Sequence, residues 1–255
     1  MGSLEYAQAR LSARYGARPD EPAWRRLEHA RAFPALIDAA RTSAFRHWIT
    51  GIDATATAHR IEALLRERWR DLAGEVASWM PDEWRSAVQW CAVADDLPAV
   101  QHLARGGPVL PWMRDDSVYR DFVGSGGTVS SPPPVGGQLA PLAAVWADPD
   151  HAERAWRTEW RNRLPPRADA KGSLLHTLEL EIAAQHRALR DPALSDGVAL
   201  RRALQAKLAF LFRRAMLDPA AAFVFLAQIG LDLERLRGEL VRRAAFPGLS
   251  LADTA

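Results

Sequence analysis

Apolar residues recur every three or four positions through nearly the whole chain, and no stretch longer than a few residues alternates with the two-residue period of a strand. That spacing predicts an all-α fold. A first helix is expected over 4–15, with Tyr6, Ala9, Leu11 and Ala13 near one side, stopping at Gly16 ahead of Pro19. Asp20 has the character of an N-cap. Pro22 falls in the first turn of the helix it would cap, where a missing N–H costs nothing, and Trp24, Leu27 and Ala30 supply the apolar stripe. A short helix over 34–42 follows. After Gly51 comes the longest predicted helix, capped by Asp53 or Thr57 and running to about residue 79, with Ile61, Leu64, Leu65, Trp69, Leu72, Val76 and Trp79 as its stripe. Pro81 and Asp82 open another that carries Trp84, Val88 and Cys91. Asp95 and Asp96 start a further one through Leu97, Val100 and Leu103, ended by Gly106-Gly107-Pro108.

Residues 124–137 read Gly-Ser-Gly-Gly-Thr-Val-Ser-Ser-Pro-Pro-Pro-Val-Gly-Gly, a composition too poor in apolar side chains to offset the entropy of packing. This is where a linker or mobile loop is expected. Helices are predicted beyond it over 139–147, 149–163, 170–190 and 195–217, with a final pair over 220–229 and 231–246. The chain therefore divides on paper into an N-terminal helical block, 1–123, and a C-terminal one, 138–255.

The composition is that of an ordinary globular protein: 255 residues, 48% of them hydrophobic and 25% charged. A chain of this length buries enough surface to need neither disulfides nor metals. Its single cysteine, Cys91, lies in an apolar stretch with no nucleophile pattern around it and reads as a core side chain in a reducing compartment. Charges are scattered through residues 1–14, so no export signal is expected, and the most apolar stretch, 219–231, falls short of the roughly 20 residues a bilayer requires. A cytoplasmic protein follows. The formal charge is only +2 and nearly all the cations are arginines alternating with Asp and Glu, Lys171 and Lys207 being the only lysines. That pattern makes no single basic face for nucleic acid.

Catalytic chemistry leaves few traces. No two of the seven histidines sit at metal-ligand spacing with a further Cys or His. His59 with Glu62 and His176 with Glu179 are each too few ligands for a metal, so neither metal nor cofactor is expected. There is no phosphate-binding Gly-x-x-x-x-Gly-Lys motif and no Gly-x-Ser-x-Gly elbow. Asp115-Asp116 offers a carboxylate pair for acid–base work, but its place after Pro111 reads better as an N-cap. Of the ten tryptophans, most sit at core spacing; Trp156 and Trp160, one turn apart among Arg154, Arg157, Arg161 and Arg163, read either as core or as an exposed aromatic and arginine patch suited to a protein interface.

Several segments resemble one family in order along the chain. Ala58-His59-Arg60-Ile61-Glu62-Ala63-Leu64-Leu65, then Trp90-Cys91-Ala92 and Asp95-Asp96-Leu97 through Leu103, are similar to the pattern of the C/d (AC39-type) subunits of V-type and archaeal A-type rotary ATPases, where a long helix carrying "IE..L" precedes "D..NL..LL". Residues 178–190 repeat the arrangement. The start, from Tyr6-Ala7-Gln8-Ala9-Arg10 to Arg14, resembles the family's opening motif, and the segment from Asp232-Leu233-Glu234-Arg235-Leu236-Arg237 through Arg242-Arg243 resembles its closing one. Departures exist: Gln101 or His102, His186 and Arg235 stand where the family has Asn, and Ala183 where it has Asp.

The resemblance implies repeated helical units forming a funnel-like socket that sits on a membrane rotor ring and receives the foot of the central shaft. It implies a connector subunit that transmits torque during ion transport without chemistry of its own, membrane-associated only through its partners. Arg10, Arg14, Arg235 and Arg242, at positions matching the terminal motifs, are expected at the partner interface together with Trp156 and Trp160. The residues alone leave open an alternative, a helical protein–protein adaptor unrelated to ATPases.

Overall fold

The computed structural model describes residues 3–123, 129, 131–191 and 196–246. Among these residues the regular structure is helical and no strand is present, as the three- and four-residue spacing dictates. The helices are α1 (Leu4–Gly16), α2 (Glu21–His29), α3 (Phe33–Arg41), α4 (Ala58–Trp79), α5 (Asp82–Trp90), α6 (Leu97–Ala104), α7 (Pro111–Asp115), α8 (Arg120–Val123), α9 (Ala152–Asn162), α10 (Leu174–Arg190), α11 (Gly197–Arg214) and α12 (Ala220–Ala245).

Local chemistry accounts for many of their starts. Asp20 caps α2, its Oδ1 accepting from the Ala23 N–H at 2.8 Å with Pro22 in the first turn. Thr57 caps α4, its hydroxyl accepting from the Arg60 N–H at 3.2 Å, while Asp53 instead closes the preceding turn on the Thr55 N–H. Ser173 and Asp196 cap α10 and α11 in the same way.

Two compact units result, each assembled from three separated stretches of chain. Unit 1 comprises Met1–Gly16, Ala73–Cys91 and Trp160–Leu233; unit 2 comprises Ala17–Leu72, Ala92–Glu159 and Glu234–Ala255. The bounds of these units differ from those of the expected blocks 1–123 and 138–255. Residues 124–128 and 130 of the expected linker lie outside the described residues; its described positions fall within the middle stretch of unit 2.

Unit 1 is organised around the start of α12, where residues 220–226 are buried on every side. A helix apolar all round belongs at the centre of its unit. Trp84 and Trp160 each set a ring edge against Phe223, at 6.2 and 5.5 Å between centroids, and Tyr15 of α1 stacks on Phe212 of α11 at 4.3 Å. The core of unit 2 is built on Ile61, Leu65 and Trp69 of α4, on the α2 and α3 pair with Trp24 edge-on to Phe45, and on α6 packed with a 3₁₀ turn over Ala140–Trp146.

Four expected helices differ in form. The stretch 139–147 is that 3₁₀ turn, and the stretch 149–163 begins as 3₁₀ before becoming α9; Pro141 and Pro149 near the starts remove backbone donors there. The expected pair over 220–229 and 231–246 is one 26-residue helix. Ile229, Leu233, Leu236 and Leu240 continue one buried stripe past Gly230, so packing outweighs the roughly 1 kcal/mol that a mid-helix glycine costs.

A buried ionic cluster as the candidate functional site

On α4, Glu62, Arg66 and Arg70 follow one another at one-turn intervals, each one position beyond a member of the buried stripe Ile61, Leu65 and Trp69. That offset draws the charged row into the edge of the unit 2 core. A 3₁₀ turn, Cys91–Asp96, is held to α4 by the Trp69 indole N–H, which donates to the Ala92 carbonyl at 3.1 Å, and it delivers Asp95 and Asp96 opposite the arginines. The turn after α7 brings Asp116, and α12 brings Arg237.

The arrangement is dense. Arg70 donates through Nη2 to Asp96 at 2.9 Å and through Nη1 to Asp116 at 2.8 Å. Arg237 grips Asp95 with both terminal nitrogens, at 2.6 and 3.0 Å, and its Nε lies 3.4 Å from Glu62. Two-pronged pairing of this kind is the stronger and more directional form of ion pair. Arg66 lies between, 3.3 Å from the Asp95 carboxylate and 3.6 Å from both Asp96 and Glu62, with a further bond to the Asp95 carbonyl and its guanidinium 4.5 Å over the Trp112 ring. Tyr119, edge-on to Trp112, places its hydroxyl 3.2 Å from Asp96 Oδ1.

Four carboxylates against three guanidinium groups leave one negative charge in excess, and the protonation tendencies divide accordingly. Asp96 is 1% exposed; burial raises its pKa above the ordinary carboxylate value, more than Arg70 and Arg66 lower it, and neighbouring Asp95 adds to the rise. Burial also pushes Asp95 up, but Arg237 and Arg66 outweigh it and hold Asp95 below the usual value. For Arg70 and Arg237 burial works against the cation, and the facing aspartates reverse it, leaving both more firmly protonated. Burial beside Asp96 raises the Tyr119 phenol well above its normal range, so it stays a donor. Asp96 is thus the member able to take up a proton in place, and the others form a fixed electrostatic clamp joining α4, the 91–96 turn, the 116–119 turn and α12.

Asp116 follows α7 and has the N-cap character expected of it: its Oδ1 accepts from the Val118 N–H at 2.8 Å and its carbonyl from the Arg120 N–H at 2.9 Å at the turn that leads into α8, while its carboxylate is also bound by Arg70. Cys91 is part-buried, and burial pushes its thiol up to about 12, away from the thiolate form.

The residues expected at a partner interface are distributed over both units. In unit 1, Arg10 and Arg14, 48% and 42% exposed, share Glu75 at 3.5 and 2.7 Å, and Arg10 also lies 5.0 Å over the Trp79 ring. In unit 2, Arg235 is largely enclosed, donating to Glu28 at 2.8 Å and covering Trp24 at 4.2 Å, and Arg242 pairs with Glu239 at 3.3 Å. Trp160, at 4% exposure, belongs to the core of unit 1 and anchors no exposed patch; Trp156 of unit 2 is half-buried. Glu62, Asp95, Asp96, Asp116 and Arg237 lie in segments that the sequence marks out, each for a separate reason, whereas Arg66 and Arg70 carry no such mark. The available signal was the Glu62, Arg66, Arg70 row beside an apolar stripe.

Among the described residues no group of three or more His, Cys, Asp or Glu side chains is arranged to hold a metal ion, and no helix is long and apolar enough to cross a membrane. No protein-family model, curated protein or solved structure matches the chain.

Proposed function

We propose that this protein is a non-catalytic connector in the central stalk of a V/A-type rotary ATPase, joining the shaft to the membrane rotor ring during ion transport. The observation that carries this reading is where the resembling segments meet. Glu62 comes from the "IE..L" helix, Asp95 and Asp96 from the segment similar to "D..NL..LL", and Arg237 from the segment similar to the closing motif, and all enter one ionic cluster. Residues far apart in sequence that carry a resemblance in scattered motifs here have a shared physical task.

That task suits a coupling element. A subunit that transmits torque must resist shear between its helices, and two-pronged ion pairs resist sliding because their geometry is directional, whereas apolar contacts slip at little cost. Arg10 and Arg14, whose ion-pair partner among the described residues is the part-exposed Glu75, retain donor capacity for a partner, which supports their assignment to the interface.

The test is purification of the tagged full chain from mildly solubilised membranes of its native host, with quantitative mass spectrometry. The expected result is co-purification, in fixed ratio, of the nucleotide-binding, shaft and rotor-ring subunits, and loss of ATP-driven ion transport when the gene is deleted. Recovery of the chain without those subunits overturns the proposal.

A further inference from the structure

A different surface, in unit 1, has no part in the cluster. α10 and α11 form an antiparallel hairpin: Lys207 pairs with Glu181 at 2.6 Å and Gly197 lies against Leu189, so positions rise on one helix as they fall on the other. α11 buries Leu204, Leu208, Leu211 and Phe212. Its opposite face also has helical spacing, running through Ala199, Ala203, Ala206, Phe210, Arg213 and on to Leu217, all exposed.

Two properties set that face apart from an ordinary solvated one. Of the nine large hydrophobic side chains exposed among the described residues, six lie on this hairpin or just past it: Leu180 and Leu189 on α10, Val198 and Phe210 on α11, and Met216 and Leu217 beyond its end, with Phe210 52% and Met216 73% exposed. On α11 itself the outer face exposes Phe210 among Ala199, Ala203 and Ala206, on the side away from its buried row. The second property is charge. α11 carries Arg201, Arg202, Lys207, Arg213 and Arg214 and no acidic residue. Among the described residues Arg202, Arg213 and Arg214 have no ion-pair partner, although Arg214 lies 5.6 Å from the Phe210 ring.

We infer that this face of α11 is a docking surface for an acidic amphipathic helix of another protein, laid along its outer side. Charge complementarity identifies the occupant. Arg202 and the Arg213-Arg214 pair are separated by roughly three turns, or about 17 Å at 1.5 Å per residue. A partner helix matching them carries Asp or Glu about 11 residues apart, with apolar side chains between to cover Phe210. An anionic membrane fits less well. Interfacial helices keep an unbroken apolar face with their cations opposite, whereas here Arg202 and Arg213 interrupt the apolar face itself, and that face has no tryptophan. The inference stands independently of the rotary-ATPase reading, since it uses none of the resembling termini or the cluster.

The test uses the full chain and three probes: a 20-residue helical peptide with leucines at i, i+4 and i+7 and glutamates on both flanks, the same peptide with lysines in place of the glutamates, and vesicles of mixed phosphatidylglycerol and phosphatidylcholine. Binding is read by fluorescence anisotropy or co-sedimentation, and its place by hydrogen exchange. The glutamate peptide is expected to bind at least tenfold tighter than the lysine peptide and to slow exchange in residues 197–214. A triple charge reversal (Arg202→Glu, Arg213→Glu and Arg214→Glu) is expected to weaken it at least tenfold, and Phe210→Ser several-fold. These positions are exposed, so circular dichroism should be unchanged in each variant. Equal binding of the two peptides, indifference to the charge reversal, protection elsewhere, or tighter binding to vesicles than to the glutamate peptide each overturns the inference.

Discussion

Replacing Arg70 by Met removes the cation that faces Asp96 and Asp116 while keeping most of its aliphatic volume. Both carboxylates are buried, and Arg70 supplies a hydrogen bond of 2.9 Å to the first and 2.8 Å to the second. Asp96 would retain Arg66 at 3.6 Å and the Tyr119 hydroxyl, Asp116 only its Val118 N–H, and the excess negative charge of the cluster would double. Breaking a buried pair from one side costs about 3–5 kcal/mol, because the abandoned charge stays desolvated. For a protein of this size that corresponds to a fall in Tm of roughly 10 °C. Urea titration followed by tryptophan fluorescence measures it, with the transition tested for a single cooperative step because two units are present. Loss of Arg70 pushes Asp96 further up, so the deficit should widen as pH rises above the ordinary carboxylate value of 3.8. The double variant with Asp116→Asn should recover at least about 1 kcal/mol. A deficit under about 1 kcal/mol, or strict additivity in the double variant, would show that the cluster is solvated and clamps nothing.

Three further outcomes are expected. Asp96 has a folded-state pKa raised above its unfolded one, so its contribution is fully present below 3.8 and is lost as pH rises through the folded value; Asp96→Asn should therefore gain on the wild type with rising pH, checked by urea midpoints between pH 4 and 8. Arg10→Ala with Arg14→Ala should leave stability within about 1 kcal/mol, since both are exposed and screened, yet reduce recovery of the partner subunits in the membrane purification; unchanged recovery removes these residues from the interface. Gly230→Ala should stabilise by about 0.5–1 kcal/mol, since an added Cβ meets nothing within 4 Å and α12 continues through this position; a lower Tm would show that the helix needs a break there.

The parts of the fold legible in the sequence were those set by neighbours within a turn or two. Asp20 with Pro22, and Thr57 ahead of the Ile61 stripe, mark helix starts because a side-chain oxygen and the third backbone N–H beyond it are bound to meet. Gly230 misled because its cost is local while the burial of Ile229, Leu233 and Leu236 that overrides it is tertiary. Which distant stretches assemble into each compact unit was not legible for a related reason: composition reports local packing capacity, not long-range assembly. Within the cluster, Asp95 and Asp96 stood out as a pair, but their partners sit on α4 and α12, and although Arg237 lies in the segment resembling the closing motif, nothing local marks it rather than its neighbouring arginines as their partner. Trp160 illustrates a further limit, since one-turn spacing with Trp156 is equally compatible with a surface ridge and with a core ring.

The interleaving of the two units constrains the order in which the protein can be made. Unit 1 requires residues up to Leu233, and unit 2 requires Arg237 beyond them to close its clamp. A ribosome that has reached residue 200 has therefore finished neither, and the tip of α12 must emerge before either interior is sealed. Over most of its synthesis the nascent chain presents amphipathic helices without their final neighbours, which makes it a natural client for chaperones that hold apolar faces. Expression yield should accordingly respond more to chaperone supply than to the stability of the finished molecule.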